Sequence, residues 1–179
     1  MHRIYARLVF LPALLWNVLL GRVLRMRRWW DRVDEKVILG ALPFSWDVAV
    51  MQKEGVTAVV NTCDEYAGPR RAYQRAGIVQ LRVPTVDFTH PGIHDVERAV
   101  KFVSQHVDRG GSVYVHCRAG RARSATVVLC WLIEAKGLSP EEGQTRLLQK
   151  RAHVNRKLAD RPVVREFYRQ RRAGRSDDG

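Results

Sequence analysis

The stretch SVYVHCRAGRARSATVVLCWLI, Ser112 to Ile133, constrains the fold of this chain more than any other. Its start is short, apolar and β-branched, the pattern of a strand buried on both faces. From Ala125 the run ATVVLCWLIEA is apolar nearly all round, as a helix buried against a sheet has to be. Between the two, Cys117 to Arg123 carries three arginines and a glycine. A buried strand that turns at once into a buried helix belongs to an α/β layered fold. Charge at that junction is stable only against water or an anion.

The same alternation runs through the rest of the chain. Lys36–Leu39, Thr57–Asn61 and Val79–Val83 are further short β-branched runs that predict strands. Ile93, Val96, Val100, Val103 and Val107 recur at three- and four-residue spacing, which predicts a helix over 93–107. Ser139-Pro140-Glu141-Glu142 opens another, with an N-cap, a proline in the first turn and acids at the positive end of the dipole. Asp160-Arg161-Pro162 opens a last helix through Val163, Phe167 and Tyr168, and the polar chain from Arg169 is expected to fray. The whole predicts one domain over 31–172, with 1–30 as a basic, apolar appendage and 173–179 as a polar tail.

An anion at the junction has a mechanism. A helix N-terminus leaves N–H groups unpaired and carries partial positive charge. Successive loop N–H groups converge into a nest for phosphate oxygens, and Gly120 permits the positive φ or close approach that such a cradle demands. Arg123, six residues after Cys117, is expected at the rim of the loop, where its planar fork grips two oxygens at once. The field that holds a phosphate also stabilises a thiolate, so Cys117 is the candidate nucleophile, forming a phosphocysteine with bound phosphorus. Ser124 is a candidate hydroxyl donor to the sulfur. Neither other cysteine competes: six positions after Cys63 stands Pro69, and six after Cys130 stands Lys136. Displacing an alkoxide also requires a proton donor. Asp87 follows a predicted strand, precedes a helix and lies thirty residues before Cys117, which makes it the candidate general acid, with Asp64 and Asp95 as rivals.

Charge narrows the partners. Against 18 Asp+Glu stand 31 Lys+Arg, a formal net charge of +13. Such a field favours nucleic acid, an anionic membrane or a phosphorylated substrate. Three cysteines at dissimilar positions give no disulfide framework, and six histidines show no metal-ligand spacing, so no metal is expected. No organic cofactor is expected either, because the loop supplies the positive charge. The first thirty residues lack Asp and Glu, and arginines surround the run LVFLPALLWNVLL, Leu8 to Leu20. That run is short of the roughly 20 residues that span a bilayer. It reads as an interfacial helix on anionic headgroups, an organelle-targeting segment, or a helix packed on the domain.

HCRAGRARS resembles the H-C-x5-R-S/T phosphate loop of the cysteine-dependent phosphatases, and the Asp87 loop is similar to the general-acid loop of their compact dual-specificity branch. Within that branch, LVFLPALLWNVLLGRV, VILGALP, CDEYAGP and LRVPTVDFTHP leading into YVHCRAGRARSAT resemble the mitochondrial phosphatidylglycerophosphate phosphatase family, also called mitochondrial protein tyrosine phosphatase. The resemblance implies a compact α/β fold with a central, mostly parallel sheet flanked by helices and an N-terminal amphipathic helix. It implies Cys117 as nucleophile, Asp87 as general acid and Arg123 as phosphate clamp. Arg118, Ala119, Gly120, Arg121 and Ala122 form the cradle, Ser124 supports the thiolate, and His116 orients the loop. Glu65 and Tyr66 correspond to a loop flanking the site, and Arg118 and Arg121 fit a substrate carrying a second phosphate.

The expected reaction is removal of the terminal phosphate of phosphatidylglycerophosphate; a dual-specificity protein phosphatase is the alternative. An inactive phosphate- or RNA-binding module is the rival from outside enzymology. Expected partners are a phosphorylated anionic phospholipid and an anionic membrane surface, not nucleic acid, and a monomer is expected. The expected location is membrane-associated: the mitochondrial inner membrane in a eukaryote, the cytoplasmic face of the inner membrane in a bacterium.

Overall fold

The structure, a computed structural model, describes residues 12, 14–16, 18–23 and 28–176. Its strands are β1 (Trp30–Asp34), β2 (Val37–Gly40), β3 (Val56–Cys63), β4 (Val79–Thr85) and β5 (Ser112–His116). They form one sheet in the order β1-β2-β5-β3-β4, parallel throughout except for β1 at the edge. Four strands fall on the β-branched runs. The fifth, β1, lies outside them because WDRVD hides one inward valine, Val33, among charges.

Helices cover both faces. α1 (Val48–Lys53) and α2 (Arg70–Arg75) pack on one through Val48, Met51 and Tyr73, which meet Ile38, Val59 and Tyr114 of the sheet. α3 (Ile93–Asp108), α4 (Arg123–Lys136), α5 (Pro140–Lys150) and α6 (Pro162–Ser176) pack on the other, over Val113 and Val115. The alternation within β5 thus divides the core in two, as the side-chain period of a strand requires. Every residue of α4 from Arg123 to Ile133 is buried, which explains its apolar circumference. At α5 the expected cap is present: the Glu142 N–H donates to the Ser139 hydroxyl, and the Ser139 N–H donates to the Glu142 carboxylate. α6 runs to Ser176, past the point where composition predicts fraying. Arg171 holds it, pairing with Glu134 of α4 at 2.6 Å and lying over the Phe167 ring.

The expected N-terminal helix falls partly outside the described residues. Within them, Leu14–Trp16 are helical and Leu19–Val23 form a π-helical turn. Arg22 in that turn pairs with the buried Asp47 and lies over the rings of Trp29 and Phe44. Leu15 and Trp16 are exposed. Among the described residues, no helix is long and apolar enough to cross a membrane.

Gly40, at the end of β2, is a packing constraint. A Cβ there would stand 2.0 Å from the Tyr114 hydroxyl and 2.8 Å from the Trp30 Cβ. That hydroxyl donates to the Ala41 carbonyl at 2.6 Å. Gly40→Ala is expected to cost about 1–3 kcal/mol of stability through overpacking. Scanning calorimetry should show a lower melting midpoint, by roughly 2–4 °C per kcal/mol; an unchanged midpoint would contradict the packing described.

Candidate active site

β5 is the middle strand of the sheet, and it delivers Cys117 into the loop before α4. Gly120 in this loop has φ of +64°, and a Cβ on it would lie 2.4 Å from the Gly40 carbonyl oxygen. Both facts demand glycine. The loop carbonyls are all engaged on its outer side. Leu42 N–H donates to Arg118 O at 3.2 Å, and Asn155 N–H donates to Arg121 O at 2.9 Å. Arg151 donates to Ala119 O at 3.1 Å and to Gly120 O at 3.0 Å. Ala122 O receives the Thr126 N–H and hydroxyl. Across a planar trans peptide the C=O of one residue points opposite the N–H of the next, so these five outward carbonyls turn the N–H groups of Ala119, Gly120, Arg121, Ala122 and Arg123 inward. The N–H set thus runs one residue later than the cradle expected at Arg118 to Ala122.

Arg151 is a functional residue that sequence reading misses. It is 2% exposed, and Asp31 balances its charge at 2.6 Å. Arg151 is one of 31 basic residues, and nothing in its neighbourhood along the chain marks it. Only buried Asp31 in a charged edge strand is a signal, and a faint one.

The sulfur of Cys117 accepts from Gly120 N–H at 3.2 Å and from the Ser124 hydroxyl at 3.3 Å. Burial alone raises its pKa, but the Arg123 guanidinium, the Ser124 hydroxyl and the N–H groups of Ser124 and Arg121 outweigh it and bring the thiol down to about 7. Burial pushes Cys63 and Cys130 up instead. Of three buried cysteines, one is prepared to ionise. His116 is fully buried and neutral, its pKa carried down to about 3 chiefly by burial. Its Nδ1 lies 3.3 Å from the Cys117 carbonyl, which can only accept, so the proton sits on Nδ1.

Arg123 is held from behind. Its two terminal nitrogens donate to the two Glu65 oxygens at 2.9 and 2.7 Å, and one also donates to Thr85 O at 2.8 Å. Glu65 therefore stands behind the cradle and aims the clamp, rather than lining the cleft. Tyr66 likewise turns its hydroxyl inward to Pro43 O at 2.7 Å and sets its ring edge against His116. Asp87 meets Arg123 at 3.0 Å through one oxygen and Arg118 through the other. It stands beside Phe88, which has a positive φ of 67° and is exposed. Neither rival acid is so placed: Asp95 pairs with Arg98, and Asp64 is absent from the cleft wall.

These residues open onto a cleft of about 630 Å³, lined by Asp87, Cys117, Arg118, Arg121, Arg123 and Arg161 among others. Arg118 is engaged by Asp87, and Arg121 donates to the His153 carbonyl at 2.9 Å. Among the described residues, no group of three His, Cys, Asp or Glu side chains is arranged to hold a metal ion. A strongly positive cradle, a low-pKa thiol and a carboxylate at one cleft can carry out nucleophilic displacement at phosphorus.

The chain is similar to several known proteins. The family model "Dual specificity phosphatase, catalytic domain" matches residues 37–170. The Arabidopsis thaliana phosphatidylglycerophosphate phosphatase PTPMT2 is 37% identical over 91% of this chain and 73% of its own. The Homo sapiens phosphatidylglycerophosphatase and protein-tyrosine phosphatase 1 is 36% identical over 97% of this chain and 91% of its own. The crystal structure of PTPMT1 superposes with a TM-score of 0.75 at 33% identity, covering 83% of this chain and 99% of that one. A complex of PTPMT1 with PI(5)P is also similar, with a TM-score of 0.74 at 32% identity, covering 82% of this chain and 98% of that one.

Alkylation rate follows the thiolate fraction. Inactivation by iodoacetamide is expected to rise with pH through a midpoint near 7. Arg123→Met should move that midpoint up by at least about one unit, since a neighbouring cation favours the charged form. A midpoint unmoved in the variant would assign the low pKa to the hydrogen bonds alone.

Proposed function

The chain belongs to the dual specificity phosphatase family of cysteine-based phosphoric monoester hydrolases, and from that premise we propose that it converts phosphatidylglycerophosphate to phosphatidylglycerol and inorganic phosphate. The observation that carries this reading is likeness along nearly the whole chain to phosphatidylglycerophosphate phosphatases of a plant and a mammal. The PI(5)P complex of a relative supports a phosphorylated anionic phospholipid as substrate. A net charge of +13 and the exposed Leu15 and Trp16 support contact with an anionic membrane surface through residues 1–30.

In the proposed reaction the cradle and Arg123 hold the terminal phosphate. The Cys117 thiolate attacks phosphorus in line, and the P–S bond forms as the P–O bond to glycerol breaks. Asp87, as the carboxylic acid, gives its proton to the leaving glycerol oxygen. Water then attacks the phosphocysteine; the P–S bond breaks and the Asp87 carboxylate takes the water proton. Ser124 donates its hydroxyl hydrogen bond to the returning thiolate. In the structure Arg118 and Arg123 both face Asp87. A phosphate dianion bound in the cradle competes with Asp87 for the Arg123 guanidinium and leaves the carboxyl group beside the leaving oxygen.

A second reading, a dual-specificity protein phosphatase, is favoured by the second half of the human relative's name. Phosphate release from phosphatidylglycerophosphate in mixed micelles, beside a phosphotyrosine peptide, separates the two. Lipid kcat/KM at least about tenfold above peptide is expected, a difference of 1.4 kcal/mol in the barrier, with Cys117→Ser as the inactive blank. Dominant peptide turnover would move the substrate to proteins and keep the chemistry. Asp87→Ala is expected to lose about 10²–10⁴-fold on the lipid and far less on an aryl phosphate, whose leaving group needs no proton. Equal losses on both substrates would remove Asp87 from the acid role.

A further inference from the structure

The buried arginines of this protein are matched by carboxylates: Arg123 by Glu65 and Asp87, Arg151 by Asp31. Arg161 departs from that pattern. It is half-buried in the wall of the cleft, yet it has no carboxylate partner among the described residues. Its Nη1 donates to the Thr126 hydroxyl at 2.7 Å and reaches Ala122 O at 3.5 Å, both neutral acceptors. Its Nε and Nη2 make no hydrogen bond among the described residues. Burial lowers its pKa, and the charge that opposes this is the Cys117 sulfur, so the guanidinium stands within electrostatic reach of the nucleophile. A partly desolvated cation with spare donors and no counter-charge is a group that an anion entering the cleft can complete.

Position tells where that anion would lie. Thr126, which anchors Arg161, follows Arg123 by three residues on α4, just under one helical turn and about 4.5 Å along the axis. Arg118 and Arg121, which the sequence offers for a second phosphate, are engaged by Asp87 and the His153 carbonyl. Arg156 lines the same cleft with an exposed side chain. Asp87 is the one carboxylate among the residues lining the cleft. Its volume of about 630 Å³ far exceeds the needs of one phosphate.

We infer that Arg161, assisted by Arg156, forms a second anion subsite that takes a phosphate group joined by a glycerol-length bridge to the phosphate in the cradle. In the lipid reading, on which the ligand's identity rests, this group is the phosphodiester of phosphatidylglycerophosphate. The subsite itself is a property of the cleft and is tested with soluble probes.

The experiment measures binding by calorimetry in the Cys117→Ser background, comparing 1,3-propanediol bisphosphate with 3-hydroxypropyl phosphate. The bisphosphate is expected to bind about tenfold or more tightly, the scale of one hydrogen bond to a charged group. Adding Arg161→Gln should reduce the ratio to about twofold or less, whereas Arg161→Lys, which keeps the charge, should retain most of it. Equal affinities in the Cys117→Ser parent would overturn the subsite. So would a ratio that survives Arg161→Gln, or one lost equally in the lysine variant, and melting curves identify any variant that has not folded. A preserved bisphosphate preference without lipid turnover would discard the lipid reading alone. Lipid turnover without the preference would discard the subsite alone.

Discussion

A loop of N–H groups holds an anion only while its carbonyls are held elsewhere, and here that task centres on Arg151. One side chain fixes two adjacent carbonyls, Ala119 and Gly120, and the rest of the loop follows through Leu42, Asn155 and Thr126. The arrangement links distant parts of the chain. Arg151 ends α5, Asp31 lies in the edge strand, and Arg28 and Trp29 offer further carbonyls to the same guanidinium. A buried pair of this kind contributes little net stability. What it contributes here is geometry: removing either partner leaves an uncompensated charge beside the cradle. Gly120 completes the constraint, because its approach to Gly40 leaves no space for a side chain.

The electrostatics of the site follow from that frame. Arg123 is fully buried and lowers the Cys117 pKa; in the proposed reaction it also holds the phosphate. Glu65 makes this tolerable by accepting two hydrogen bonds from it, and its own pKa falls because the pairing with Arg123 overcomes its burial. Asp87 closes over the mouth through Arg118 and Arg123. In the proposed reaction the cradle phosphate takes the place of the Asp87 carboxylate against Arg123, a dianion in place of a single negative charge. The positive φ of Phe88 marks the turn that carries this carboxylate.

Much of the fold was legible because burial writes itself into the sequence. β5 and α4 are enclosed by other elements, so their apolar residues had no polar face to conceal them. α3 was legible from one apolar stripe, and α5 from its cap. The edge strand β1 was not, because of its two buried residues, Asp31 and Val33, only one is apolar. α1 and α2 are each six residues long, too short for a 3.6-residue period to repeat. At the site, Cys117, Gly120, Arg123 and Ser124 share one loop and the first turn of α4, so their spacing carries their chemistry. Glu65 and Tyr66 were recognisable as neighbours of the site, but which way their side chains turn was not.

The sequence by itself determined an α/β chain with a cysteine and an arginine at a strand-to-helix junction, since local spacing and apolar period suffice for both. It also offered Asp87, between a predicted strand and a helix, with Asp64 and Asp95 as rivals, and the family resemblance favoured Asp87. Only the tertiary structure decided which arginines remain available to a ligand. Arg118, Arg121, Arg151 and Arg161 are alike as letters and occupy four different electrostatic situations. Their difference lies in partners thirty or more residues away, such as Asp87 for Arg118 and Asp31 for Arg151. Charge pairing depends on distance in space, and distance in space is what a sequence does not record.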